Sequence, residues 1–464
     1  MKVANVTEFN AAVVAAKPGD VIVLADGEWR DADLMFHAVG EMPRAGDPAG
    51  VRDPHARRIK LRAETPGKVI LTGASRLLIG GKHLEVSGLH WKNTTARDQV
   101  IAFRIDSKTL AEDCTLRECA IIEDAVDAPT DDATTGGIKS EKSVERKWVS
   151  LYGRRNRVEL CRFEGKRSGG ALLVVWIPDD APLETDERKP DRNVRHVIER
   201  NFFGSREKLG KNGGETIRIG DSKTSLRVCE TRVVQNYFYH CDGEAEIISN
   251  KSCKNGYTNN AFIGCSGALT LRHGNDCGVG LNLFHGDGRK GTGGVRVVGE
   301  RHRVLSNQFR DLTGDDARAG ICVMNGIPDS PANGYVQVRK LSISRNSFVD
   351  CKQSILLGFA DKDRDDQTLA PDDVQVDGNI VVADTPVFTV KTLPSNLWTL
   401  MNNSYIDDLG LPFSYTSNWN RFPRVDLEAD MKKIPQPDAA EILKFAGPSW
   451  MRPTENFLPQ PKPK

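Results

Sequence analysis

A short pattern, apolar-x-x-Asn-x-aromatic or aliphatic, recurs along this chain and limits the folds open to it more than any other feature. It reads IERNFF at 198–203, VVQNYF at 233–238, YTNNAF at 257–262, VGLNLF at 279–284, VLSNQF at 304–309, ISRNSF at 343–348, VDGNIV at 376–381 and LMNNSY at 400–405. VELCRF at 158–163 is an earlier copy with Cys161 in the asparagine slot. Asn236, Asn260, Asn282 and Asn307 are 24, 22 and 25 residues apart. A base period in the low twenties, broken by insertions, is the mark of stacked β-coils. In such a coil the asparagine is expected at a corner, tolerating left-handed backbone geometry, with its amide bonded to the same residue one coil away. The residue two places on is expected to point inward and stack on its counterpart. Chance recurrence of a turn residue does not explain so many copies in one local register.

Cys229, Cys241, Cys253, Cys265 and Cys277 are spaced 12 residues apart, two per 24-residue coil. The spacing assigns 229, 253 and 277 to one column and 241 and 265 to another. Coils about 4.8 Å apart bring column neighbours within disulfide range, yet small apolar residues stacked in the interior are the favoured reading. No C-x-x-C pair points to a zinc ribbon or a thioredoxin-type motif.

Ahead of the repeat, residues 7–16 read as a short helix with Thr7 as N-cap and Phe9, Val13 and Ala16 on one face, ended by Pro18-Gly19-Asp20. Strands follow at VIVLADGEW (21–29), IKLRAE (59–64), VILTG (69–73), LLIGG (77–81) and LEVSGLHW (84–91). The helix is expected to plug the first coil, since a stack of coils exposes unpaired edges at both ends. After about residue 410 the repeat fades. DAAEILKFAG (438–447) suggests a helix, and NFLPQPKPK an extended or disordered tail. The expected organisation is one β-coil domain over 1–410 and a C-terminal extension over 411–464.

The 464 residues carry 64 basic and 63 acidic side chains, a formal charge of +1, so no global field draws in nucleic acid or a membrane surface. Apolar runs such as ALLVVWI (171–177) are too short to span a bilayer. MKVANVTEFNAAVVAAKPGD has an interrupted apolar stretch rather than a signal-peptide core. That fits a cytoplasmic chain or a mature form whose signal has been removed. A monomer is the favoured state.

The candidate chemistry lies between Asn212 and His273, in NGGETIRIG (212–220), DGEAEIISNKS (242–252) and ALTLRHGN (268–275). Alternation along a strand puts Glu244 and Glu246 on one face. Two adjacent carboxylates repel unless a cation sits between them, and hard oxygen donors suit calcium, with Asn212 as a carbonyl ligand and Glu215 as a further or supporting group. A plainer reading is a solvated acidic strand bridged to Arg218. Lys251 and Arg272, 21 residues apart and so about one coil, favour the functional one. Like charge from a metal ion and an arginine favours the neutral form of an amine, as a general base requires. Arg218, Arg296 and Arg318 are candidates for substrate carboxylates, and His273 for positioning substrate.

These three motifs, with PGDVIVLADGEW, KWVSLYG (147–153) and the Asn-x-Phe coils, resemble polysaccharide lyase family 6 over nearly the whole chain except the tail. That family contains alginate lyases and the dermatan-sulfate-degrading chondroitinase B. The resemblance implies an all-β, right-handed parallel β-helix. It also implies calcium on Asn212, Glu244 and Glu246, Lys251 as the base and Arg272 as the second catalytic residue. The implied reaction is β-elimination at a uronic acid, leaving a 4,5-unsaturated sugar. Guanidinium hardly deprotonates, so Arg272 is expected to polarise the leaving oxygen or relay a proton from water. The family's dermatan enzyme uses adjacent arginines in a late loop, where ADKDRDD (360–366) has none, so alginate is the expected partner and dermatan sulfate the alternative. A non-catalytic polysaccharide-binding β-helix and a glycoside hydrolase with paired carboxylates are further readings. An extracellular polymer as substrate implies a secreted or periplasmic protein.

Overall fold

A computed structural model describes residues 1–42, 57–124, 144–186, 192–382, 388–392, 399–401, 403–406, 419–422 and 437–460. Each coil gives one short strand to each of three parallel sheets. Residues 232–251 illustrate it, with Arg232–Val234 in the first sheet, Tyr237–Tyr239 in the second and Glu246–Lys251 in the third. Among the described residues these sheets hold 14, 14 and 13 strands. The chain is a parallel β-helix.

The asparagine repeat forms the corner between the first and second sheets. Oδ1 of Asn236 accepts from both the backbone N–H and Nδ2 of Asn201 at 3.0 Å. Asn260, Asn282, Asn307, Asn346 and Asn379 repeat the arrangement in successive coils. The left-handed geometry falls one place earlier than expected. It belongs to the residue preceding each asparagine, Arg200, Gln235, Asn259, Leu281, Ser306 and Arg345, with φ between 53° and 55°. The reason is division of labour: the asparagine amide holds the corner across coils, and its predecessor, exposed or half-buried, makes the turn. The aromatic rings behave as expected, with Phe203, Phe238, Phe262, Phe284, Phe309 and Phe348 stacked at centroid spacings of 4.5–5.0 Å. Side chain 403, in the last copy, lies outside the described residues.

All ten cysteines are buried free thiols. The column of 229, 253 and 277 breaks at its last member, because Gly256 pairs with Gly278 and so sets Cys277 beside Asn255. The coil from Asn260 to Asn282 is two residues shorter than the one before it, which shifts Cys277 along by that amount. Cys253 instead receives the N–H of Asn275.

The N-terminal helix covers the stack's first edge, as expected, with Phe9, Ala12 and Val13 in the core. It spans Val6–Ala15 and its cap is Asn5, not Thr7: Oδ1 of Asn5 accepts from the N–H of Glu8, whose own carboxylate accepts from the N–H of Ala4. The first bond satisfies one of the helix's free donors, and the second ties the residue ahead of the cap to the first turn. At the other end, Trp419–Phe422 pairs in parallel with Asn403–Ile406. The expected boundary at 410 falls outside the described residues.

The C-terminal segment is better ordered than its composition suggests. A helix at Ala439–Phe445 and the following chain run back along the outer face of the second sheet. There Ile442 and Leu443 cover Phe202, Tyr237, Ala261, Ile263 and Leu283. Phe457 sets its edge on Phe202 at 4.8 Å and on Tyr239 at 4.9 Å, while the Tyr237 hydroxyl donates to its carbonyl. That apolar outer face needs a cover, which is why NFLP does not dangle. Residues 461–464 lie outside the described residues.

Candidate active site

The site lies on the outer face of the third sheet. Its strands Ile217–Gly220, Glu246–Lys251, Ala268–His273 and Val295–Val297 are adjacent and parallel. Alternation gives one outward row through Arg218, Ser249, Thr270 and Arg296, and a second through Gly220, Lys251 and His273. The pairing slips between Asn250 and Lys251. Lys251 therefore faces His273 across the strands, and Arg272 occupies the irregularity beside them. The inward Asn250 anchors this point, donating to the carbonyls of His273 and Ser252.

The carboxylates gather at the entry to these strands. Both N–H groups of Gly213 and Gly214 donate to Oε2 of Glu244 at 2.8 Å. Burial, then the charge of Glu215 and that of Glu246, pushes the Glu244 carboxyl up to about 7 against those two bonds. Glu215 is 4% exposed and its Oε2 has no hydrogen-bond partner among the described residues. Glu246 pairs with the guanidinium of Arg296 at very short range. Asn212 is exposed at the rim. Among the described residues no three His, Cys, Asp or Glu side chains close on one point as metal ligands. The donors are nonetheless hard oxygens crowded into mutual repulsion around an unpartnered carboxylate oxygen, a set chemically suited to calcium. In the arrangement described, Arg296 supplies the countercharge to Glu246.

Lys251 is half-buried and forms no ion pair with a described carboxylate. Arg272 donates to the carbonyls of Gly334 at 2.5 Å and Asn333 at 3.1 Å, and its guanidinium lies 4.0 Å from the Tyr335 ring centroid. Burial lowers its pKa from the usual arginine value. His273 sits 3.5 Å from an Arg272 nitrogen and 3.4 Å from the Ser222 hydroxyl. Burial, then the charges of Arg272 and Lys251, pushes it down to about 3, so the imidazole is neutral at ordinary pH. A neutral imidazole between two cations can accept or pass a hydrogen bond without adding charge.

The remaining arginines do not share one setting. Arg296 is 9% exposed and committed to Glu246. Arg218 lies over Trp176, 5.3 Å from its ring centroid, with its Nε buried and without a partner among the described residues. Arg318 sits in a short turn at 316–318, packed against Gly293 and Gly314, three coils along from Glu244.

Two groups were not singled out from sequence. Tyr335 underlies Arg272, and the loop that carries it covers an apolar patch of Cys322, Met324, Ile327 and Phe359, closing the sheet's outer face on that side. Arg206, 3% exposed, donates to the carbonyls of Ser168, Gly170, Gly214 and Glu215 and so fixes the turn that holds Glu244. Neither lies in a readable motif, because each acts on backbone brought close only by coil stacking.

The chain matches the chondroitinase B family over residues 3–387. It belongs to polysaccharide lyase family 6. Among solved structures of that family, the alginate lyase AlyGC is 33% identical with a TM-score of 0.80, the alignment covering 100% of this chain and 59% of AlyGC. This chain thus spans somewhat over half the length of that relative. A mannuronic-acid-specific family 6 lyase from the human gut microbiota is 26% identical, with a TM-score of 0.75 and 97% of each chain covered. A family 6 alginate lyase solved with a trisaccharide shares the fold at 22% identity and a TM-score of 0.65, covering 92% of this chain and 85% of its own. Comparison with curated proteins gives no match.

Proposed function

We propose that this protein is a polysaccharide lyase that cleaves alginate by β-elimination, working outside the cytoplasm as a secreted or periplasmic enzyme. The observation that carries the reading is the meeting of three carboxylates, Lys251, Arg272 and a neutral His273 on one outward face of family 6 coils. Alginate is favoured over dermatan sulfate by the names of the similar solved lyases, and by the late loop, where Arg364 stands without an adjacent arginine.

Calcium held by Asn212, Glu244 and Glu246, with Glu215 behind them, would neutralise the uronate carboxylate and make the C5 proton more acidic. Lys251, as the general base, takes that proton. The electron pair left on C5 forms the C4–C5 double bond as the C4–O bond breaks. The departing oxygen gains a proton through the hydrogen-bond network of Arg272 and His273. Arg272 polarises that oxygen, held in place by Tyr335 and the carbonyls of residues 333 and 334. Glu246, paired with Arg296 in the free chain, would turn to the cation when calcium is bound.

The test is a panel of alginate, polymannuronate, polyguluronate and dermatan sulfate, with product masses. Unsaturated alginate products, lost on exhaustive chelation and restored by calcium, are expected. Cleavage of dermatan sulfate alone overturns the substrate, products heavier by one water overturn elimination, and activity indifferent to chelation overturns the metal.

A further inference from the structure

The outward row that carries Lys251 continues beyond the site. Because Leu151 pairs with Val175 and Val175 with Ile219, the row reads Arg104, Tyr152, Trp176, Gly220, Lys251. Tyr152 and Trp176 stack at 5.6 Å with an interplanar angle of 5°. Arg104 closes one end of this pair, 3.9 Å from the Tyr152 centroid, and Arg218 closes the other over Trp176. The Tyr152 hydroxyl is fixed by a bond from Gln99. Neither Arg104 nor Arg218 is ion-paired with a described carboxylate. A guanidinium on an aromatic face keeps its charge and its in-plane donors, and this sandwich holds Arg104 in line with Lys251 and Arg218 in the neighbouring outward row.

The opposite direction is closed, since the loop through Tyr335 covers the sheet beyond Arg272. A polymer seated at Lys251 therefore leaves along the row toward Arg104. That distance is four coil steps, roughly 19 Å at about 4.8 Å per step. At roughly one uronate ring per coil step, a chain seated at Lys251 spans this distance in about four rings.

We propose that Arg104, held by Tyr152 and Trp176, is the distal carboxylate-binding residue of an extended uronate cleft on the N-terminal side of Lys251. The proposal rests on the uronate reading of the site. Arg104 contacts substrate, while Tyr152 and Trp176 are positioning residues.

The test is the dependence of binding on chain length. Dissociation constants for a triuronate and a hexauronate from alginate are measured in Lys251→Ala, which holds substrate uncleaved, with and without Arg104→Gln. The hexamer is expected to bind at least tenfold tighter than the trimer, and Arg104→Gln to cut that ratio below threefold. Tyr152→Leu is expected to lower the ratio in the same direction, and Arg104→Lys to restore part of it. Equal binding of both lengths with Arg104 intact, or an unchanged ratio in Arg104→Gln, overturns the proposal. The reading of the site fails separately, if the wild-type chain cleaves no polyuronate while the length dependence and its loss persist.

Discussion

Glu244 is held in a setting that disfavours its charge. Its carboxyl is raised to about 7 from an ordinary 4.5, so the folded chain favours the protonated form. The stability this confers is complete below pH 4.5 and is lost as pH rises through about 7. After discounting for partial exposure the loss is at most about 2 kcal/mol. In chelator, thermal stability is therefore expected to fall between pH 5 and 8, and calcium to restore it at pH 8 but much less at pH 5. Differential scanning calorimetry checks this, and Glu244→Gln should flatten both dependences. Much of this was legible in sequence, because Glu244, Glu246 and Lys251 lie within one motif. The Arg296 partner of Glu246 and the Tyr335 support of Arg272 were not, since they stand 50 and 63 residues away and only coil register brings them close.

At the scale of the corner element, Asn260 accepts from the backbone and side-chain nitrogens of Asn236 and donates to Val233 and Asn282. Asn260→Ala leaves the buried N–H of Asn236 unsatisfied and should cost about 2–3 kcal/mol in urea unfolding. Leu281, exposed at φ 55°, offers the opposite case. Leu281→Gly removes left-handed strain worth about 1 kcal/mol in a residue that contributes little to the core, and should leave stability unchanged or slightly raised, where a helix or strand interior would lose by it. The contrast separates the two positions that sequence reasoning merged into one. The repeat itself was legible because asparagine and phenylalanine keep fixed local spacing. Which member takes positive φ was not, because the same six-residue string permits either. The shift of Cys277 out of its column likewise follows from a coil shortened by two residues.

Across the whole molecule, coil stacking and its N-terminal plug were readable, and the C-terminal cover of the second sheet was not. The end of the chain read as an extended or disordered tail because proline and lysine dominate it, yet Ile442, Leu443 and Phe457 close an apolar face. Removing residues 437–464 is expected to expose Phe202, Tyr237 and Leu283, lower the melting temperature and promote association, measured by scanning calorimetry and light scattering. Acid acts through the core. His196, His302 and His90 are pushed down to about 3, 4 and 4 by burial, as His273 is to about 3. Below their ordinary value of 6.5 the unfolded chain binds more protons than the folded one, so stability is lost as pH falls from there toward 3. The proposed function puts a uronate chain at Lys251 on one outward face. The most direct test follows the ultraviolet absorbance of the new double bond as wild-type protein and Lys251→Ala, with unchanged circular dichroism, act on alginate in calcium. The account predicts a steady rise with the wild type and none with the variant. No rise with the wild type, or an equal rise with both, would contradict it.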